Sequence, residues 1–302
     1  MSRRILFVAL LVASGLAAGQ APLPDKEKDR EGYQALMPAL GALDRGDVKQ
    51  AIDSLRPIAS DGTIEAQYML ATILETAPPP LRDLEAARSW YERAAESGHA
   101  GAQNNLGAMY YDGRGVLRNP IDAAKWYRLA ADQGHAVAQT NLALMYGTGI
   151  GVELNVTEMA SLLQKAAESG EPRAQAQLGR MYLDGEGLAQ NTTEALKWFR
   201  ASAAQDNEAA ALFLAIMLQK GIGGPRDLEA ATAWFRRAAN RGNRLAMLEL
   251  AKSYELGMGI PADAAQAKSW RERALAKPEA ESAKGKDAAD SDQRADPRRP
   301  RR

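Results

Sequence analysis

Residues 100–135 read AGAQNNLGAMYYDGRGVLRNPIDAAKWYRLAADQGH, and this pattern recurs every 36 residues on both sides without insertion or deletion. One column makes the period plain: Trp90, Trp126, Leu162, Trp198, Trp234 and Trp270 are equally spaced and include all five tryptophans of the chain. A repeat of this length is one supersecondary unit that buries its apolar face only against its neighbours, so the fold it predicts is a solenoid.

Each unit opens with Ala66, Ala102, Ala138, Ala174, Ala210 or Ala246, followed at an offset of four by Leu70, Leu106, Leu142, Leu178, Leu214 or Leu250. Ile73, Met109, Met145, Met181 and Met217 come next, then Tyr110, Tyr146, Tyr182 and Tyr254, and these offsets trace one face of an α-helix, helix A. Glycine pairs such as Gly113 with Gly115 and Gly149 with Gly151 then let the chain leave the helix at positive φ and reverse. Asp83, Asn119, Asn155, Asn191, Asp227 and Asp263 fill one column with residues that cap helix N-termini, so helix B restarts there. Its apolar face is Ala87, Trp90, Tyr91, Ala94 and Ala95, with the indole expected to fill the gap between closely packed helices. Where Leu162 replaces Trp, Met159 replaces an alanine one turn earlier and restores volume. Gly98, Gly134, Gly170 and Gly242, with Asp206 once, end helix B in a left-handed turn.

Outside these six units, at 64–99, 100–135, 136–171, 172–207, 208–243 and 244–277, the segment 31–63 reads as an atypical capping helix pair, with Asp47, Ala51 and Gly62 on the same grid. Pro38 should start or kink its first helix. Residues 20–30 (QAPLPDKEKDR) read as a flexible leader and 278–302, ending RRPRR, as a disordered charged tail. At the very start, Arg3 and Arg4 precede the apolar run Ile5–Ala18, which reads as a signal peptide over 1–19 cleaved before Gln20, or before Ala18. Its length of about 14 apolar residues is short of the roughly 20 that span a bilayer, so no stable membrane span is expected after cleavage. The protein is therefore expected in the periplasm or secreted. One elongated all-α domain is the expected architecture.

Lys plus Arg equals Asp plus Glu at 38 each, so no global field recommends nucleic acid as a partner. Cysteine is absent, which excludes disulfides, thiolate metal sites and a cysteine nucleophile. His99 and His135 occupy one column; stacked helices of 8 to 10 Å each put equivalent positions roughly 16 to 20 Å apart, beyond a shared metal, so they read as turn residues. The glycine pairs follow a helix and lack the Gly-Lys-Ser/Thr ending of a phosphate loop, and no Ser-x-x-Lys or Gly-x-Ser-x-Gly occurs in the mature chain. No cofactor, metal site or catalytic constellation is read from the chain.

The columns A-x-x-x-L-G-x-M-Y-x-x-G-x-G-V and N-x-x-x-A-x-x-W-Y-x-x-A-A-x-x-G closely resemble the Sel-one-like repeat, a relative of the tetratricopeptide repeat, over residues 64–277. The resemblance implies a right-handed superhelix of antiparallel helix pairs whose A helices line a concave groove, and a non-enzymatic role as adaptor or scaffold in protein complexes. Some secreted relatives carry a disulfide in each helix pair, and β-lactam binding or hydrolysis has been attributed to them. This chain, without cysteine, departs from those.

If helix A lines the groove, the residues beside its core columns face the partner: Tyr68, Thr72 and Glu75, then Asn104, Ala108 and Tyr111, then Thr140 and Leu144. Arg180 and Leu183 follow, then Leu212, Ile216 and Gln219, then Leu248, Lys252 and Glu255. They vary from unit to unit, as a surface fitted to an irregular partner would, or as unconstrained surface would. The apolar members favour a protein or peptide of the cell envelope. The alternatives are an envelope enzyme acting on β-lactam or peptidoglycan, and a scaffold for exopolysaccharide export that holds polysaccharide.

Overall fold

The computed structural model of the chain describes residues 27–276, and among these residues it is all-helical, with fourteen helices and no strand. The signal peptide, most of the leader and the charged tail lie outside the described residues. The first helix, α1 (Glu27–Asp44), begins ahead of the expected start near Glu31 and contains Pro38 in its interior. Proline there removes one backbone bond, to the carbonyl of Gln34, and Gln34 is exposed, so water can take that carbonyl. Helix α2 (Val48–Ser60) completes the first pair.

Six pairs follow, each of a helix A and a helix B. They are α3 (Ile64–Thr76) and α4 (Leu84–Glu96), α5 (Ala100–Asp112) and α6 (Pro120–Asp132), and α7 (Ala136–Thr148) and α8 (Val156–Glu168). Then come α9 (Pro172–Asp184) and α10 (Thr192–Ala204), α11 (Glu208–Lys220) and α12 (Leu228–Asn240), and α13 (Arg244–Leu256) and α14 (Ala264–Leu275). The chain divides into two compact units at Ala210, within α11. In the first unit each helix from α1 to α9 packs on its successor; in the second α12 packs on α13 and α13 on α14. Within each unit the main packing runs between successive helices, so the chain is a helical repeat solenoid.

From α2 on, helix starts are capped by side chains, except at α3, where Thr63 makes no side-chain cap bond. Asp83, Asn119, Asn155, Asn191 and Asp227 each accept the N–H three residues on, as does Asp47 ahead of α2. The carboxylate of Glu194, which could have returned a bond to its own cap, pairs with Lys197 at 3.0 Å. A second capping column was not anticipated. His99 and His135 cap α5 and α7 through Nδ1, Glu171 caps α9 and Asn243 caps α13. These histidines are thus helix caps, a role their place in the turn conceals.

Gly115 shows why the turn after helix A needs glycine. Its φ is 67°, and a Cβ there would lie 2.6 Å from the carbonyl oxygen of Leu84, at the start of helix B one repeat earlier. The turn therefore also sets the spacing between successive repeats.

The fully enclosed aromatic column is the one after tryptophan: Tyr91, Phe199 and Phe235 are 0% exposed and Tyr127 4%. Trp198, expected as a buried core indole, is half-buried, as are Trp90, Trp126 and Trp234. One residue of helix is a 100° rotation, enough to carry the indole to the rim while its neighbour points inward. The rim position is compatible with cations: Arg93 lies 4.5 Å over the Trp90 ring and Lys197 5.1 Å over Trp198. Leu162 is buried, and Met159 packs its sulfur onto Gly147 of the same helix pair, so part of the added volume is taken up there.

Glutamines tie successive repeats. Gln67, Gln103, Gln139 and Gln175 are buried, and each Nε2 donates to a carbonyl near the end of the preceding helix B, 3.0 to 3.2 Å away. Gln133 and Gln205 supply the second bond, to the Oε1 of Gln103 and Gln175 at 2.7 and 2.9 Å. Where that position is Ser97 or Ser169, the hydroxyl bonds within its own helix, and the Oε1 atoms of Gln67 and Gln139 have no partner among the described residues.

Candidate functional site

The side chains beside the helix A core columns do not form a uniform surface. In the first unit Tyr68, Thr72, Tyr111, Leu144 and Leu183 are half-buried and Arg180 is exposed. Asn104 and Thr140 are buried: the Thr140 hydroxyl lies 2.9 Å from Ala136 O and 3.0 Å from Glu171 Oε2, so it serves the fold and presents nothing outward. In the second unit Leu212, Ile216 and Gln219 are half-buried, Gln219 reaching Glu249 at 3.5 Å, and Lys252 is exposed.

Within the first unit these residues belong to a polar chain that runs through four repeats. Tyr91, rigidly seated in the core of its pair, donates its hydroxyl to Glu75 Oε2 at 2.8 Å, with Thr72 Oγ1 3.1 Å away. Arg114, from the loop after α5, pairs with the same Glu75 carboxylate and with Asp112 at 3.1 Å. Asn105 donates to the Tyr91 hydroxyl, Asn104 to Asn105, and Asn141 to Asn104, each at 3.1 Å. Arg173 ends the chain by donating to Asn141 Oδ1 at 3.3 Å. Beside Tyr91, Tyr68 stacks on His99 with centroids 4.3 Å apart, and His99 Nε2 lies 3.0 Å from Glu65.

Asn104 and Asn141 touch across one repeat, which revises the 16 to 20 Å spacing expected between equivalent positions: consecutive A helices are direct neighbours, not separated by a helix B.

Next to this chain a cavity of about 340 Å³ opens on the same face. Its apolar wall is Ala108, Leu144 and Met145; Tyr111, Asp112, Tyr127, Asn141 and Arg173 supply the polar groups. Of the expected groove residues it brings together Tyr111 and Leu144, with Ala108. Tyr68 and Thr72 belong to the filled polar cluster at Tyr91. Asn105, Asn141, Arg173 and the hydroxyl ends of Tyr91 and Tyr127 were not anticipated. The only sign of them in the chain is that asparagine occupies one column in two consecutive units, at 105 and 141.

Electrostatics keep both buried phenols protonated. Burial, with the Glu75 charge second, pushes the Tyr91 pKa well up, and burial, with Asp112 second, pushes Tyr127 up as well. Burial also lowers His135 below the ordinary histidine value, with His99 adding to the shift. The hydrogen bond from His99 holds the Glu65 carboxyl below its usual range. The tyrosines are thus hydrogen-bond donors at neutral pH.

The family model for the Sel1 repeat matches residues 64–99, 100–135, 136–171, 172–207, 208–243 and 244–277. A Sel1 repeat protein from Oxalobacter formigenes is similar in structure, with a TM-score of 0.69 and 32% identity over 81% of this chain and 99% of that one. A protective antigen present in uropathogenic Escherichia coli strains, c5321, which displays an SLR fold, gives a TM-score of 0.72 and 30% identity over 89% of this chain. The chain spans 56% of that protein. Among curated proteins none matches the chain.

Proposed function

From the chain's membership of the Sel1 repeat family, established by six matched repeats and a 32% identical relative covered over 99% of its length, we propose a protein-interaction scaffold of the bacterial cell envelope. It is non-enzymatic and holds a protein or peptide against the helix A face of its first unit. Sel1 repeat proteins are generally protein-interaction scaffolds. The observation that carries the reading is the cavity at Tyr111 and Leu144, where apolar wall and hydrogen-bonding groups meet on one face, as a peptide with alternating backbone and side-chain chemistry requires.

Binding fits the arrangement better than catalysis does. Glu75 and Asp112 are committed to Arg114, and Glu171 to a helix cap, so none of these carboxylates is placed to abstract or deliver a proton. Among the described residues no helix is long and apolar enough to cross a membrane. Export rests on Arg3, Arg4 and the apolar run Ile5–Ala18, and predicts a periplasmic or secreted mature chain beginning at Gln20 or Ala18.

The test is crosslinking in intact cells followed by mass spectrometry, with the native protein and Leu144→Glu side by side. A protein captured by the native chain and lost by the variant, with an unchanged thermal melt, supports the reading. Equal capture by both, or recovery of glycan alone, contradicts it.

A further inference from the structure

We propose that the cavity around Tyr127 is a receptor site for a carboxylate, occupied in the complex by a glutamate side chain of the bound protein. This deepens the scaffold reading and rests on it. The ground is a comparison inside the chain. Tyr91 and Tyr127 occupy the same position one repeat apart, and both are almost fully enclosed. At Tyr91 the protein fills the polar site itself: the hydroxyl donates to the Glu75 carboxylate, which also takes Arg114.

One repeat on, the positions of Thr72, Glu75 and Asn105 hold Ala108, Tyr111 and Asn141. A methyl group replaces a hydroxyl, and a ring replaces the carboxylate. The two replacements and the retained Asn141 line the cavity together with Tyr127, whose hydroxyl has no hydrogen-bond partner among the described residues. The ring is enclosed but its hydroxyl oxygen is not sealed in the core, and burial of the ring keeps the proton on it, so the cavity is offered a donor that no group among the described residues takes up.

A second donor converges on the same space. Arg173 reaches in from two repeats after that of Tyr127; its one hydrogen bond is the long one to Asn141, and it makes no ion pair among the described residues. Asp112, the acidic residue among those lining the cavity, is already paired with Arg114. An anion with two acceptor oxygens can therefore take the phenol and the guanidinium together, the pairing that gives short charge-assisted bonds. The wall of Ala108, Leu144 and the Tyr111 ring suits a short methylene stem. Glu75, a side-chain carboxylate on such a stem, is the protein's own example of the fit, and it favours glutamate over a chain-terminal carboxylate.

The experiment is calorimetric titration of the full chain with three tripeptides: acetyl-Leu-Glu-Leu-amide, its glutamine analogue, and acetyl-Leu-Leu-Leu with a free carboxylate. The glutamate peptide is expected to bind at least about tenfold more tightly than the glutamine peptide, the ratio a charge-assisted bond supplies. Tyr127→Phe and Arg173→Gln should each weaken it by about tenfold, and Tyr111→Glu, which rebuilds the internal carboxylate, should abolish binding. Arg173 is exposed, so its variant carries the test should Tyr127→Phe fail to fold. Equal affinity for the glutamate and glutamine peptides, preference for the free carboxylate, or no binding of the glutamate peptide by the native chain overturns the proposal. Discrimination among tripeptides without capture of any envelope protein would leave the carboxylate site standing and refute the scaffold reading. Capture lost in Leu144→Glu without discrimination would do the reverse.

Discussion

Tyr91 and Tyr127 sit in equivalent places in consecutive repeats, and the protein treats them oppositely. Around Tyr91 the repeat supplies Thr72, Glu75 and, from across the next turn, Arg114; around Tyr127 it supplies Ala108, Tyr111 and a cavity. The same asymmetry holds at the neighbouring caps: His99 has Glu65 against its Nε2, whereas the residue one repeat after Glu65 is Gly101, and His135 has no ion pair among the described residues. In an array of near-identical units the core columns must agree, because each is packed by its neighbours. Polar positions on the helix A face carry no such constraint, and there the two units diverge from self-satisfied to open.

The largest expected effect tests the premise that the column after tryptophan is the shared core. Phe199→Ala should cost about 3 to 5 kcal/mol, and Trp198→Ala, whose indole is half-exposed, about 2 kcal/mol or less. Urea melts showing the reverse order would restore the indole as the core residue. The next separates the two hydroxyls. Tyr91→Phe removes a bonded group and should cost about 1 to 2 kcal/mol, while Tyr127→Phe should stay within about 0.5 kcal/mol. Equal costs would show that Tyr127 is satisfied after all.

Acid sharpens the contrast at the caps. His135 Nδ1 accepts from the Ala138 N–H at 3.2 Å, which requires the unprotonated ring, and burial lowers its folded pKa below the ordinary 6.5. The unfolded chain therefore takes up the proton first as pH falls. Stability from this cap is fully present above about pH 6.5 and is lost as pH drops through that value towards the folded pKa. The loss should approach about 1 kcal/mol, and His135→Asn, which caps without titrating, should flatten the profile of melting temperature against pH. The smallest effect is a gain: Ser97→Gln supplies the donor that Gln67 Oε1 lacks, as Gln133 does for Gln103, and should add about 0.5 to 1 kcal/mol in a denaturant melt.

Much of this fold is legible in the chain because repetition exposes it. The columns at Ala102, Leu106 and Met109 are core, the Asp and Asn column caps helix B, and the glycines take positive φ. Periodicity could not decide between adjacent aromatics: Trp198 and Phe199 fall on the same broad apolar stripe, and only packing shows which is enclosed. The second capping column was hidden because histidine and glutamate are unusual caps. The site was less legible still. Groove positions were found by their offset on helix A, and Tyr111 and Leu144 do meet at the cavity. Yet its distinguishing features are the missing partner of Tyr127 and the approach of Arg173 from another repeat, and no column of one repeat records them.

The most direct test of the contrast is to label the tyrosine rings with carbon-13 and follow Tyr91 and Tyr127 by NMR while acetyl-Leu-Glu-Leu-amide is added. An open site at Tyr127 and a filled one at Tyr91 predict that the Tyr127 resonance moves with peptide while that of Tyr91 stays in place. If both move together, or only Tyr91 responds, the two repeats do not differ as described.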